Sequence, residues 1–146
     1  MDEPIYFYSK TDHFFELSNF YPQGFEEDGV YWPTVEHYFQ AMKFKDQDYR
    51  EKIRAASSPK QAKDLGRTRD LPIQRDWDSI RDGVMKHALR RKFAHPDLRQ
   101  LLLSTGDREL IEKSPYDRYW GCGADGTGEN KLGTLLMEVR DEYAVA

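Results

Sequence analysis

Trp32-Pro33-Thr34-Val35-Glu36-His37-Tyr38-Phe39-Gln40-Ala41-Met42-Lys43-Phe44 is the stretch on which the fold turns. Val35, Tyr38, Phe39 and Met42 fall at i, i+3, i+4 and i+7, the spacing of a helix that buries one face. Thr34 stands where an N-cap belongs, its hydroxyl able to accept an amide from the first turn. On the same helix Glu36, Gln40 and Lys43 recur at i, i+4 and i+7, a polar row at the edge of the apolar stripe. Such a row either lines a cleft or is a plain helix edge on which Glu36 answers the helix dipole.

Working outward, Ile5-Tyr6-Phe7-Tyr8 and Val30-Tyr31-Trp32 are short aromatic runs separated by Pro22, Gly24 and Gly29, which predicts short strands and turns. Downstream, Ser58-Pro59-Lys60-Gln61 predicts a helix start with a capping box, and Gly66 its stop. Asp76 is placed to cap a longer helix that carries Trp77, Ile80, Val84 and Ala88 on one face as far as Phe93, before Pro96 interrupts. A shorter helix is expected over residues 97–103, and strands near Leu110-Ile111 and Tyr119-Trp120. Leu132, Leu135, Leu136, Val139 and Tyr143 then form the stripe of a final helix packed on a core. No repeat, low-complexity tract or long linker divides the chain, so the expectation is one α+β, helix-rich domain over residues 1–146 with short β-strands.

An apolar share of 38% with 14% aromatic residues describes a folding chain, not a disordered one. A net charge of −4 provides no general field for a phosphate backbone, which favours a small ligand over nucleic acid. No run approaches the roughly 20 apolar residues of a membrane span, and Met1-Asp2-Glu3-Pro4 does not read as a secretory signal. Cys122 stands alone, without a partner for an internal disulfide or a thiolate metal site. The expectation is a cytoplasmic protein with no membrane association. His13, His37, His87 and His95 show neither an HExxH arrangement nor a Cys/His pattern, so no metal and no cofactor are expected. His87 reads as a hydrogen-bonded core histidine and Cys122 as an inert thiol.

Residues 121–133 hold five glycines directly ahead of the last helix. Gly121, Gly123 and Gly126 match a dinucleotide fingerprint in form, but too little chain follows for the second strand and its acid. There is no P-loop either. Two readings stay open: a tight loop with Asn130 as helix cap, or backbone amides at Gly126 and Gly128 that cradle an anion. Asp117 is either a turn former or a second carboxylate beside the loop, and Trp120 either a core anchor or a plate for a nucleobase. Two separated carboxylates, an aromatic plate and an anion cradle are ingredients for breaking a glycosidic bond, where positive charge develops on the sugar.

In this order the blocks Phe7-Tyr8-Ser9, Leu17-Ser18-Asn19-Phe20, residues 32–44, Ser57-Ser58-Pro59, Leu65-Gly66-Arg67, Val84-Met85 with Ala88-Leu89 and Lys92-Phe93, and Tyr119-Trp120-Gly121 through Asn130-Lys131-Leu132-Gly133 into residues 135–140 resemble the YbiA-like family, also called NADAR. The resemblance covers nearly the whole chain. It implies an α+β fold, no metal, and hydrolysis of N-glycosidic bonds. In the branch this chain looks most like, the substrates are ribosylamino-pyrimidine 5-phosphates from early riboflavin synthesis, cleaved to ribose 5-phosphate and the aminopyrimidine; a related branch removes ADP-ribose from guanine. The family's glutamate, aspartate and tryptophan map onto Glu36, Asp117 and Trp120. Cys122 departs from the pattern, standing where relatives often carry aspartate.

The resulting expectation has Glu36 and Asp117 sharing the acid and base work and Trp120 stacking on the pyrimidine. Lys43 or Arg67, with the Gly126 and Gly128 backbone, holds the 5-phosphate, while Asn19 and Asn130 bond sugar or base edges. Two rivals are an ADP-ribosyl-guanine glycohydrolase and a non-catalytic module that binds a nucleotide or ADP-ribose.

Overall fold

The computed structural model describes residues 2–145. The chain is α+β and clusters into two compact units, one built from Pro22–Lys92 and the other from the segments up to Tyr21 and from Phe93 onward.

In the Pro22–Lys92 unit, strands β2 (Phe25–Glu27) and β3 (Val30–Trp32) form an antiparallel hairpin with Phe25 opposite Trp32. The turn is Asp28-Gly29, with φ of 52° and 80°. Both residues are left-handed, as the two-residue turn that matches strand twist requires. Strand β2 was not among the expected runs, because Phe25-Glu26-Glu27 carries too little apolar character to announce itself. Phe25 and Trp32 are buried, and each meets the Tyr38 ring edge-on at 5.4 Å.

That tyrosine belongs to helix α1 (Val35–Met42), which begins at the expected cap: the Thr34 side chain accepts the His37 amide. The expectation of one buried face was too modest. Every residue from Val35 to Ala41 is buried, because α1 packs against helices α2 (Gln47–Arg54), α3 (Pro59–Leu65) and α4 (Trp77–Lys92). A helix enclosed in this way must satisfy its polar side chains internally. His37 does so by placing Nδ1 2.8 Å from the Thr34 hydroxyl and donating from Nε2 to the Ala56 carbonyl at 3.1 Å. Burial lowers the imidazole's pKa below the ordinary 6.5.

Helix α2 escaped the periodicity because Ile53 is its one fully buried residue; Asp46 starts it by accepting the Tyr49 amide. Helix α3 begins at Ser58-Pro59 as expected, but Gln61 accepts from the Ser57 amide and hydroxyl, one residue upstream of a capping-box partner. Helix α4 starts after Asp76, whose carbonyl accepts the Ser79 and Ile80 amides. Its buried face is Trp77, Met85, Ala88, Leu89 and Lys92, with Ile80 and Val84 at the margin. His87 is not in the core: its side chain is 42% exposed and its Nε2 lies 2.6 Å from Glu27 Oε2.

The second unit holds β1 (Ile5–Phe7) in parallel with β4 (Leu110–Glu112), Ile5 opposite Leu110. A 3-10 turn at Phe15–Leu17 and helices α5 (Pro96–Ser104) and α6 (Lys131–Ala144) complete it. Four of the five residues of the expected stripe, Leu132, Leu135, Leu136 and Val139 of α6, are buried, together with Phe7, Leu17, Leu102 and Leu110, while Tyr143 at its end is half-buried. Arg140, 5% exposed, donates from Nη1 to the Thr105 hydroxyl and the Arg108 carbonyl.

Two expectations in this unit are overturned. Asn130 precedes α6 at φ 52°, yet makes no side-chain cap. Its Oδ1 instead accepts the Glu112 amide and its Nδ2 donates to the Leu110 carbonyl, each at 2.9 Å. One asparagine thus serves the open edge of β4 as a strand residue would, and the Cys122 amide continues the ladder onto the Glu112 carbonyl. Tyr119-Trp120 is no strand, because both amides turn onto Asp117 Oδ1, at 2.9 and 2.7 Å, and are lost to any ladder.

Asn130→Ala should therefore cost about 1–3 kcal/mol in urea unfolding, the penalty for stranding buried backbone groups; a variant as stable as the parent would contradict the role. His37 carries a pH prediction. With its native pKa lowered, the unfolded chain binds that proton more readily, so its stabilising contribution is complete above about pH 6.5 and is lost as pH falls below it. Urea midpoints measured from neutrality down to about pH 5 should decline, and less steeply in His37→Gln.

Candidate functional site

In the Pro22–Lys92 unit the polar row on α1 is real, and it faces inward. Glu36 and Gln40 are 7% and 6% exposed, and Gln40 Nε2 donates to Glu36 Oε2 at 2.6 Å. The third member, Lys43, is half-buried and donates from Nζ to the Gly66 carbonyl at 3.2 Å. Burial lowers the Lys43 pKa below 10.5; the charge of Glu36 works against that shift, and Arg67 and Lys63 add to it. Lys43 thus feels one acid, Glu36, and two other cations. The Arg67 side chain is 66% exposed, with Asp64 3.9 Å away. That leaves its guanidinium in reach of an anionic ligand, and Lys43 beside it offers a second, more enclosed charge.

Gly66 does follow α3, but at φ −66°, a conformation open to any residue. What demands glycine is space: a Cβ there would fall on the Gln40 amide. Gln40 Oε1, pressed against this position, is buried and has no hydrogen-bond donor. An acceptor stranded in this way costs about 1–3 kcal/mol. Sequence reasoning placed Gln40 in the row without giving it a task; the signal was its place one helical turn from both Glu36 and the level of Lys43.

In the other unit, Asp117 and Trp120 lie on one turn. Ser114 Oγ accepts the Asp117 amide, and Asp117 Oδ1 in turn accepts the amides of Tyr119 and Trp120. Asp117 is thus a turn former, and these bonds employ one of its two oxygens. Trp120 is half-buried, its ring edge-on to Tyr119 at 4.9 Å. Asn19, just after the 3-10 turn, is 8% exposed.

The glycine loop does not present its amides as a cradle. Gly126 donates to the Gly123 carbonyl and Gly128 to the Cys122 carbonyl, while Glu129, Asn130, Lys131 and Leu132 donate to the carbonyls of Arg118, Gly121, Tyr119 and Trp120. The glycines serve geometry: Gly126 has φ +79°, and a Cβ on Gly128 would meet the Gly121 and Cys122 backbone. The expected phosphate contacts from Gly126 and Gly128 lose their donors for that reason, and Asn130 has spent its amide on β4. A residue that sequence reasoning missed braces this loop. Arg118 donates from Nη1 to Asp125 Oδ1 at 3.0 Å and from Nη2 to Thr127 Oγ1 at 2.9 Å. Thr127's hydroxyl and amide, with Arg118, hold the Asp125 carboxyl down at about 2.

A separate open depression of about 470 Å³ in the Pro22–Lys92 unit is lined by Trp32, Tyr38, Met42 and Arg50 with several acids, and includes none of Glu36, Gln40 or Lys43. Among the described residues no group of three or more His, Cys, Asp or Glu could hold a metal ion, and no helix is long and apolar enough to cross a membrane.

Comparison with known proteins bears on what this arrangement serves. The chain is 48% identical to the N-glycosidase YbiA of Escherichia coli strain K12 over 99% of its own length and 91% of that protein's. It is 44% identical to the riboflavin biosynthesis protein VVA0006 of Vibrio vulnificus, covering 97% of this chain and 39% of that longer one. The NMR structure of the E. coli protein YbiA superposes with a TM-score of 0.91 and 48% identity, over 99% of this chain and 87% of that one. The NADAR domain model matches residues 6–144, and the chain belongs to the NADAR domain family.

Proposed function

We propose that this chain is an N-glycosidase that hydrolyses ribosylamino-pyrimidine 5-phosphates, releasing ribose 5-phosphate and the aminopyrimidine. The observation that carries the reading is the buried Glu36 side chain, hydrogen-bonded by Gln40 on the same helix edge as Lys43, a lysine whose charge is influenced by both Glu36 and Arg67. Hydrolysis of an N-glycoside needs a base for water, and a phosphorylated sugar needs cations to hold it. Relatives named N-glycosidase and riboflavin biosynthesis protein support the same reaction and substrate class, and a family model that runs across both compact units supports treating them as one functional domain.

In the reaction, water's oxygen bonds the anomeric carbon while the carbon–nitrogen bond breaks. Water's proton passes to Glu36, the departing nitrogen takes up a proton from solvent, and Glu36 returns its own to solvent to complete the cycle. Positive charge grows on the sugar as the bond stretches, and a carboxylate such as Asp117 stabilises it. Trp120 stacks on the pyrimidine. Lys43 and Arg67 hold the 5-phosphate, and Asn19 bonds the sugar or base. With the amides of Gly126 and Gly128 spent inside their loop, the phosphate is assigned to the two cations alone.

Glu36→Gln keeps the shape of the side chain and removes the base. Its turnover should fall by about 10²-fold to 10⁴-fold while the protein stays folded; sugar release at the wild-type rate, followed by mass spectrometry, would take Glu36 out of the mechanism. The same assay run with ADP-ribosylated guanine distinguishes the rival substrate, and binding without any sugar release identifies a non-catalytic module. Lys43→Met should raise KM about tenfold or more with a smaller change in kcat, as for a group that binds the substrate and its transition state alike. Because burial lowers the Lys43 pKa, wild-type KM should rise with increasing pH before an ordinary lysine would lose its charge. A KM that Lys43→Met leaves unchanged would assign the phosphate elsewhere.

A further inference from the structure

Glu36 and Gln40 lie one helical turn apart on α1, with Glu36 Oε2 and Gln40 Nε2 separated by 2.6 Å. Two polar atoms this close share a proton. Either the amide donates to a carboxylate, or a protonated acid donates to an amide oxygen with the Gln40 head turned over. Those two arrangements correspond to the two roles open to Glu36, the base that takes a proton from water or the acid that gives one to the leaving nitrogen.

The structure has the amide donating, from Gln40 Nε2 to Glu36 Oε2. Lys43 follows at i+7 on the same edge of the helix, its Nζ on the Gly66 carbonyl, and a cation on that edge favours the carboxylate arrangement over the neutral acid.

We propose that Gln40 is a positioning residue whose amide holds Glu36 as an oriented carboxylate, so that Glu36 is the water-activating base. This rests on the glycosidase reading above and deepens it by naming the residue that holds Glu36 in its role as base. The packing around Gln40 makes the same point independently. Its Oε1 is buried without a donor, and the amide occupies the space that a Cβ at position 66 would take. Methionine would fill this space without stranding an acceptor. The backbone at Gly66 has no need of glycine, at φ −66°, so the glycine is there to admit this amide. The Gly66 carbonyl also accepts from Lys43 Nζ, which places both neighbours of the Glu36 carboxylate under the control of one backbone position.

The test compares wild type with Gln40→Met and Gln40→Glu in ribose 5-phosphate release from ribosylamino-pyrimidine phosphate across pH. Gln40→Met should lose about tenfold or more in kcat with KM within about twofold. The acidic limb of its kcat profile should also move up by about one pH unit or more, because a carboxylate that has lost its hydrogen-bond donor keeps its proton to higher pH. Gln40→Glu retains the shape and sets a second carboxylate against the first, so its limb should move further up; this variant carries the test if the methionine chain folds poorly. A limb that stays at the wild-type position in a folded variant, whatever happens to kcat, overturns the proposal and leaves Gln40 a packing residue. If wild type releases no sugar, the glycosidase reading fails and this inference with it; release by wild type with unmoved limbs overturns the role of Gln40 alone.

Discussion

A helix enclosed on all sides sets the terms for the rest of the Pro22–Lys92 unit. Thr34, Glu36, His37 and Gln40 are all buried on or at the start of α1, and each polar group taken out of water needs a partner within the fold. The answers are local and reciprocal. Thr34 accepts the His37 amide and bonds its ring, and the far nitrogen of that ring reaches the Ala56 carbonyl beyond α2. The cap that starts the helix and the contact that ties it to the next connection are thus one chain of hydrogen bonds. Glu36 and Gln40 meet the same problem one turn along, and leave one oxygen, Gln40 Oε1, unsatisfied.

The other unit meets a comparable constraint with different means. A two-stranded parallel sheet leaves one edge of β4 open, and parallel pairs are seldom left uncovered. Asn130 and the Cys122 amide close that edge, while the loop between them donates its amides back to its own carbonyls. A segment dense in glycine therefore becomes a rigid insert between β4 and α6. Arg118 fastens its outer side through Asp125 and Thr127. The turn that carries Asp117 and Trp120 is held from the same scaffold, since the Tyr119 and Trp120 carbonyls accept the first amides of α6.

What could be read from the chain and what could not follow from range. Helix α1, its Thr34 cap, the Ser58-Pro59 start of α3 and the apolar stripe of α6 are written in neighbouring residues, and they stand where the spacing put them. Strand β2 and helix α2 were missed because Phe25 and Ile53 are their single buried residues, too few to make a period. Asn130 looked like a cap because caps are judged from the following residues, whereas its partners lie about twenty positions upstream in β4. For the site, the residue types and the Glu36, Gln40, Lys43 spacing were legible. The anion-binding reading of the loop was not, because glycine content reveals where a backbone can bend and says nothing of where its amides point. Gly66 misled in the same way: it reads as a helix stop, and its cause is a side chain 26 positions earlier.

That dependence of position 66 on position 40 reaches beyond this molecule. A side chain at 66 displaces the Gln40 amide, and a shorter residue at 40 removes the reason for glycine at 66. The two positions share one volume of space, so neither can drift alone. Through descent they should travel as a linked pair, and a relative that has changed one without the other has given up the arrangement around its glutamate.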